Sequence, residues 1–371
     1  MSDRVALARL LADAARGGSR LALATVVATE GSAFRKAGAW LAVGEDGRRE
    51  GQVSGGCLEA DVVERCRAAL EDGVPRVVRY DTRPKDDDLA WGLGMGCPGL
   101  VSVLVERLDG ERLLANAVLF ARAARLTEPA VLVTELPSGD RALVSARDAF
   151  PAPRIAEATE RLARARLASG GLERAFALHG HELSFQRLAP RTRLVLCGAG
   201  DEAVPLAALA AGLGWDVLAV DHRPAYARDE RFPDARAVLI ASPRDVASLV
   251  DEASASTAAV VMSHAFARDV EYAAALLPLG LPYLGLLGPR RRGEEIARLA
   301  SALVERDGAP SRIFAPVGLD IGSESPKEIA LSAVAEIAAV LAGRSGGSLG
   351  ERSGAIHARA VAAEPDLSRA R

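Results

Sequence analysis

Two of the four cysteines stand in glycine-rich segments where a thiol has chemistry open to it. Cys57 follows Ser54, Gly55 and Gly56 in GQVSGGCLEAD (51–61), where the pattern passes from loop to helix. A helix N-terminus offers free amides and the positive end of its dipole. That setting favours the thiolate, the nucleophilic and metal-binding form. Cys97 lies in GLGMGCPG (92–99), where Gly94 and Gly96 let a ligand approach the backbone closely. Either segment alone reads equally well as a tight turn with an incidental small residue. Two of them in one small domain point to a shared site. Arg35 and Lys36, in EGSAFRKAG (30–38), add a cationic pair among small residues. Such a pair suits a phosphate or another anion, and it also fits an ordinary charged turn. Cys66, on the apolar stripe of the helix after Cys57, and Cys197, at the end of RLVLC, read instead as packed core thiols.

A second constellation begins at VLCGAGDEA. Gly198, Gly200 and Ala203 fit the G-x-G-x-x-G/A turn between a strand and a helix, and Asp221 ends the next strand, where an acid accepts ribose hydroxyls. The same turn carries Asp201 and Glu202. Two carboxylates beside a prospective pyrophosphate disfavour NAD(P) unless a cation such as Mg²⁺ bridges them; alternatively they only complement the helix dipole. His222 and Arg223 suit a 2′-phosphate or a solvated loop. His264, in VVMSH, falls at the carboxyl edge of a strand, where open α/β sheets bind ligands; it reads as a ligand contact or as a loop histidine bonded to its own turn. Asp320, in GLDIG, reads as a ligand or a turn residue, and GPRRR (288–292) as a cationic rim or the start of a helix.

The elements that must position these residues are legible in outline. LALATVVAT (21–29) and GAWLAVG (38–44) read as strands, followed by a helix near Cys57 and by the strands RVVRYD and LVSVLVERL. From 109 to 190 the pattern is less regular. A hairpin around Pro137–Asp140, a helix in IAEATERLARARLAS and a hairpin in RAFALHGHELSFQRLAP complete a first, mixed α+β domain. From Arg193 strands alternate with helices, which implies a doubly wound parallel sheet covered on both faces. The last helix opens with SPKEIA, a capping box with Ser325 as cap, Pro326 at the first helical position and Glu328 at the third. The expected organisation is a first domain with its linker over 1–185, a Rossmann-like domain over 186–343 and a disordered Gly/Ser/Arg-rich tail over 344–371.

Composition narrows the function classes. A net charge of −3 gives no pull toward nucleic acid. No apolar run reaches the ~18 residues of a membrane span, and the first twenty residues read as a short amphipathic helix rather than a secretory signal. Four cysteines without a CxxC pair argue against a disulfide framework or structural zinc and fit a reducing cytoplasm.

Taken together, GSAFRKAGAWLAV, GQVSGGCLEADV and GLGMGCPGLVSVLVERL resemble the N-terminal domain of the XdhC/CoxI family, the xanthine dehydrogenase accessory proteins. RLVLCGAGDEAVPLAALAAGLGWDVLAVDHRP, VVMSHAFARDVEYAAALLPLGLPYLGLLGPRRR and IFAPVGLDIGSESPKEIALSAVAEIAAVLAG resemble its C-terminal Rossmann domain. The resemblance implies a maturation factor rather than a turnover enzyme. Such a factor binds the molybdenum cofactor (a pterin dithiolene with a phosphate), protects it, assists its sulfuration, and passes it to an apo-enzyme such as xanthine dehydrogenase. A cysteine desulfurase is a further implied partner and a homodimer the implied assembly. The implied site comprises Cys57 and Cys97 for molybdenum, and Ser54, Gly55, Gly56, Gly94 and Gly96 for the pterin or phosphate. Arg35 and Lys36 supply charge, and Gly198, Gly200, Asp221 and His264 come from the Rossmann domain. Family members often carry His-Val-Gly where this chain has Asp201, Glu202 and Ala203; an acidic variant also occurs. The alternatives are an NAD(P)-dependent oxidoreductase with Cys57 or Cys97 as nucleophile, and a purely structural docking protein.

Overall fold

The computed structural model describes residues 3–31, 35–81, 99–150, 157–169, 175–178, 181–250, 256–304 and 311–351. The chain divides into two compact units, one from Asp3 to Ala189 and one beginning at Pro190. The boundary expected at 185/186 falls inside a strand, His181–Leu188, whose pairing with Ala130–Leu136 runs to Leu188.

The first unit holds two five-stranded antiparallel sheets. One is built from β1 (Leu21–Gly31), β2 (Trp40–Gly44), β3 (Arg49–Gly51), β4 (Arg76–Asp81) and β5 (Gly99–Leu108), in the order β3-β2-β1-β5-β4. The other contains β6 (Ala130–Leu136), β7 (Arg141–Ser145), β8 (Ala149–Phe150), β9 (Ala175–Leu178) and β10 (His181–Leu188), in the order β8-β7-β6-β10-β9. Successive side chains in a strand face opposite ways. Leu21 and Leu23 therefore join Ala130 and Leu132 in a core with α1 (Asp3–Gly17) and α3 (Gly110–Ala124). Ala22, Ala24 and Val26 face α2 (Glu59–Asp72), while Val131 and Val133 face α4 (Glu157–Ser169). Cys66, on the buried face of α2, is fully buried, and burial pushes its thiol up to about 12.

The second unit is a six-stranded parallel sheet: β11 (Arg193–Cys197), β12 (Asp216–Asp221), β13 (Ala237–Ile240), β14 (Thr257–Val261), β15 (Tyr283–Leu286) and β16 (Ile313–Phe314). Its spatial order, β13-β12-β11-β14-β15-β16, is 3-2-1-4-5-6 in chain order, the dinucleotide-fold arrangement. Leu194 and Leu196 of β11 pack with α5 (Ala203–Gly212) and α9 (Pro326–Leu341). Val195 and Cys197 pack on the opposite face with α7 (Phe266–Leu276) and α8 (Arg290–Ala302); α6 (Val246–Leu249) contributes Val246 to that core. The fold is thus the expected α/β class, a mixed α+β unit followed by a Rossmann sheet. The Ser325–Glu328 capping box is formed in both directions at the start of α9. Elements with no counterpart in the sequence reading include α3 and the two-residue strands β8 and β16. Of the expected tail, 352–371 lies outside the described residues.

Candidate functional site

The expected residues fall into two groups, one in each unit. In the first unit, Gln52 follows the edge strand β3, and the chain turns through Ser54–Cys57 into α2. Ser54 is buried and holds this turn. Its Oγ accepts the N–H groups of Gly56 and Leu58, both at 3.1 Å, and donates to Glu59. The Ser54 amide donates to the other Glu59 oxygen at 2.7 Å. Burial raises the Glu59 carboxyl, but the bonds from Ser54 outweigh it and hold the group below the usual carboxylate range. Gly56 sits at φ 111°, a conformation that favours glycine. Leu58 is the N-cap and the helix runs from Glu59, so Cys57 lies one residue outside the cap. Its thiol is exposed, with Sγ 3.6 Å from Ser54 Oγ. Arg35 Nη2 donates to Gln52 Oε1 at 3.3 Å, which ties the cationic loop to the strand leading into the cysteine turn. Lys36, Gly55 and Gly56 are exposed. Cys97, Gly94 and Gly96 lie outside the described residues.

In the second unit, the expected residues converge at the carboxyl edge, where the strand order reverses between β11 and β14. Gly198, at φ 114°, has no room for a side chain: a Cβ there would stand 2.5 Å from the Ser263 amide nitrogen. The glycine turn is therefore seated directly on the Ser263–His264 turn. Asp269, fully buried in α7, accepts from the Ser263 amide and hydroxyl, and Arg292 Nη2 reaches its other oxygen at 2.7 Å. His264 itself is exposed at φ 61°. Its Nε2 lies 3.2 Å from Glu202 Oε2, and Asp201 pairs with Arg231 at 2.7 Å. Asp320 is exposed in the loop after β16.

Asp221 is fully buried, and all of its acceptor capacity is in use. Oδ2 takes the Ala199 amide at 2.8 Å and Arg223 Nη2 at 2.9 Å; Oδ1 takes the Arg223 amide at 2.9 Å and Nε at 3.0 Å. A carboxylate has about four acceptor positions, and here four donors fill them. Burial raises this carboxyl, while the Arg223 side chain and the two amides outweigh that and lower it overall. As bonded, Asp221 fastens the glycine turn to the end of β12 and has no acceptor left for a ribose diol. Residues 198–223 therefore do not fit a dinucleotide held in the ordinary way.

Among the described residues, no group of three or more His, Cys, Asp or Glu side chains could hold a metal ion. A cavity of about 560 Å³ between α3 and β7–β8, lined by Val118, Arg122, Leu143 and Phe150 among others, includes none of the expected residues. No helix described is long and apolar enough to cross a membrane.

A family model described as the XdhC Rossmann domain matches residues 194–337, and one described as the XdhC and CoxI family matches 14–81. A relative from Bacillus subtilis (strain 168), named as a probable xanthine dehydrogenase subunit, is 34% identical over 318 residues, covering 85% of this chain and 91% of its own length. The chain belongs to the XdhC and CoxI family. A further relative, named molybdenum cofactor insertion chaperone PaoD, from Escherichia coli (strain K12), is 26% identical over 91% of this chain and 89% of its own. A solved structure described as a xanthine dehydrogenase from Bacillus halodurans superposes with a TM-score of 0.73 at 27% identity, covering 92% of this chain and 96% of that one. Within this XdhC/CoxI chain, sequence reasoning passed over Gln52, Glu59, Arg231 and Asp269. Glu59, in the first turn of a helix entered through a serine, carried a cap-like signal. The partners of Arg231 and Asp269 are set by tertiary placement and had none.

Proposed function

We propose that this protein binds the molybdenum cofactor, shields it, assists its terminal sulfuration and delivers it to a molybdenum hydroxylase of the xanthine dehydrogenase kind. The observation that carries the reading is Cys57, an exposed thiol on a turn fixed by Ser54 and Glu59. Sulfur is the protein ligand that suits a soft metal centre. In this reading molybdenum at Cys57 brings its own further ligands, the sulfurs of the dithiolene. Bound that way it also leaves readily, which a transfer protein needs. Cys97 is the second sulfur of this reading, and Gln52, Arg35 and Lys36 supply polar and cationic contacts for the pterin or its phosphate. The Escherichia coli relative, named a molybdenum cofactor insertion chaperone, supports the same assignment. Sulfuration requires a sulfur donor, for which a cysteine desulfurase is the proposed partner. In the second unit, the crevice beside Gly198 and Gly200 takes a phosphate-bearing group in this reading.

The test is to purify the protein from a host that makes the cofactor and assay molybdenum and pterin. Both are expected to co-purify with the wild type and to fall together in Cys57→Ser. Wild-type protein free of both would overturn the proposal; full retention in Cys57→Ser would remove Cys57 from it.

A further inference from the structure

At the second glycine of the Rossmann turn the chain's own carboxylate stands close to the backbone. In glycine-turn folds the second glycine lacks a side chain so that a ligand's phosphate can approach the backbone. Here a Cβ built on Gly200 would meet Glu202 Oε2 at 3.3 Å and the His264 ring at 3.8 Å. Glu202 and His264, 3.2 Å apart, therefore lie over that glycine. Glu202 is also the N-cap residue of α5; its carboxylate makes no bond to the helix amides and turns to His264 instead, leaving a negative charge near the helix end that attracts anions. His264 reaches it from a left-handed backbone conformation, which a histidine adopts at a cost and which the Ser263–Asp269–Arg292 bonds hold from beneath. Asp201 contributes a second negative charge, but its side chain is 94% exposed against 32% for Glu202, so solvent screens its pair with Arg231 more strongly.

We infer that Glu202, latched by His264, is an intramolecular competitor for the phosphate position and makes this crevice reject an unassisted nucleotide or pterin phosphate. A phosphate group enters by displacing Glu202 from His264, after which the imidazole becomes available to the ligand. The ligand chemistry is that of a phosphate or pyrophosphate ester, from a free nucleotide or from the pterin cofactor. The inference rests on the reading that this crevice takes a phosphate-bearing group.

The experiment is calorimetric titration of the full chain with ADP and with inorganic pyrophosphate, with and without Mg²⁺. Glu202→Gln keeps the shape and removes the charge. It is expected to bind both probes about tenfold tighter than the wild type without Mg²⁺. Glu202→Gln combined with His264→Ala is expected to lose that gain. Equal or weaker binding by Glu202→Gln would overturn the inference. So would tight wild-type binding that requires Mg²⁺ and disappears in Glu202→Gln, since Glu202 would then be a cation ligand. If neither protein binds either probe, both the inference and the phosphate reading of the crevice fall, while the molybdenum and pterin assay on Cys57→Ser still decides the chaperone proposal separately. A rise in co-purified pterin in Glu202→Gln identifies the cofactor as the phosphate source; tighter ADP binding with unchanged pterin identifies a nucleotide.

Discussion

The three cysteines described in the structure differ in what surrounds the sulfur. Cys66 and Cys197 have no exposed surface, and desolvation works against the charged thiolate in both. For Cys197 the nearby carboxylates of Asp269 and Asp221 add to that effect and push its thiol up further than burial alone would. Cys57 is exposed, with the Ser54 hydroxyl at hydrogen-bonding distance. Brief alkylation of the folded protein at pH 8, read by peptide mass mapping, is therefore expected to label Cys57. Cys66 and Cys197 should be labelled only after denaturation. Labelling of Cys66 at a rate comparable to Cys57 in native protein would mean that α2 opens readily and that the cysteine turn is not a fixed platform.

At the scale of elements, what positions the sites is a small number of turns and caps. Gly198→Ala would force a Cβ against the Ser263 amide in a backbone conformation alanine avoids. It is expected to cost about 3 kcal/mol or more in urea unfolding, several times the ~1 kcal/mol expected for Ser325→Ala at the α9 cap. Similar costs for the two would mean that the glycine turn yields freely. These examples also mark what the sequence made legible. The central Rossmann strands β11, β14 and β15 were readable because each is an apolar run buried on both faces, and the α9 cap because its bonds are local. β16 is only two residues and is a strand solely through its pairing with β15. The segment of α3 sat in a region with no regular alternation to frame it. At the sites, the glycine spacing located Asp221 correctly at the end of β12. It could not show that Arg223, two residues later, and Ala199 take up its oxygens. Likewise the acids at 201 and 202 were visible, but their partners Arg231 and His264 come from distant loops.

Across the whole chain, each unit has its own cores, and the first carries an ionic joint in which both partners are buried. Glu106, on β5 of one sheet, and Arg141, on β7 of the other, are 1% and 2% exposed and 2.5 Å apart. Arg112 of α3 reaches the second Glu106 oxygen at 2.7 Å, while Arg141 also donates to Asn116 and to the Gly139 carbonyl, each at 3.0 Å. The joint therefore fastens both sheets and α3 of the first unit to one carboxylate. Glu106→Ala would leave Arg141 charged and buried without its counter-ion, a change that costs about 3–5 kcal/mol. For a unit of this size that corresponds to a fall in Tm on the order of 10 °C. Because every described partner in this joint lies before Pro190, scanning calorimetry of Glu106→Ala should show one transition moved down and another at its wild-type temperature. A single transition displaced as a whole would mean instead that the two units unfold as one cooperative body, and that damage to this joint is felt at the Rossmann crevice as well.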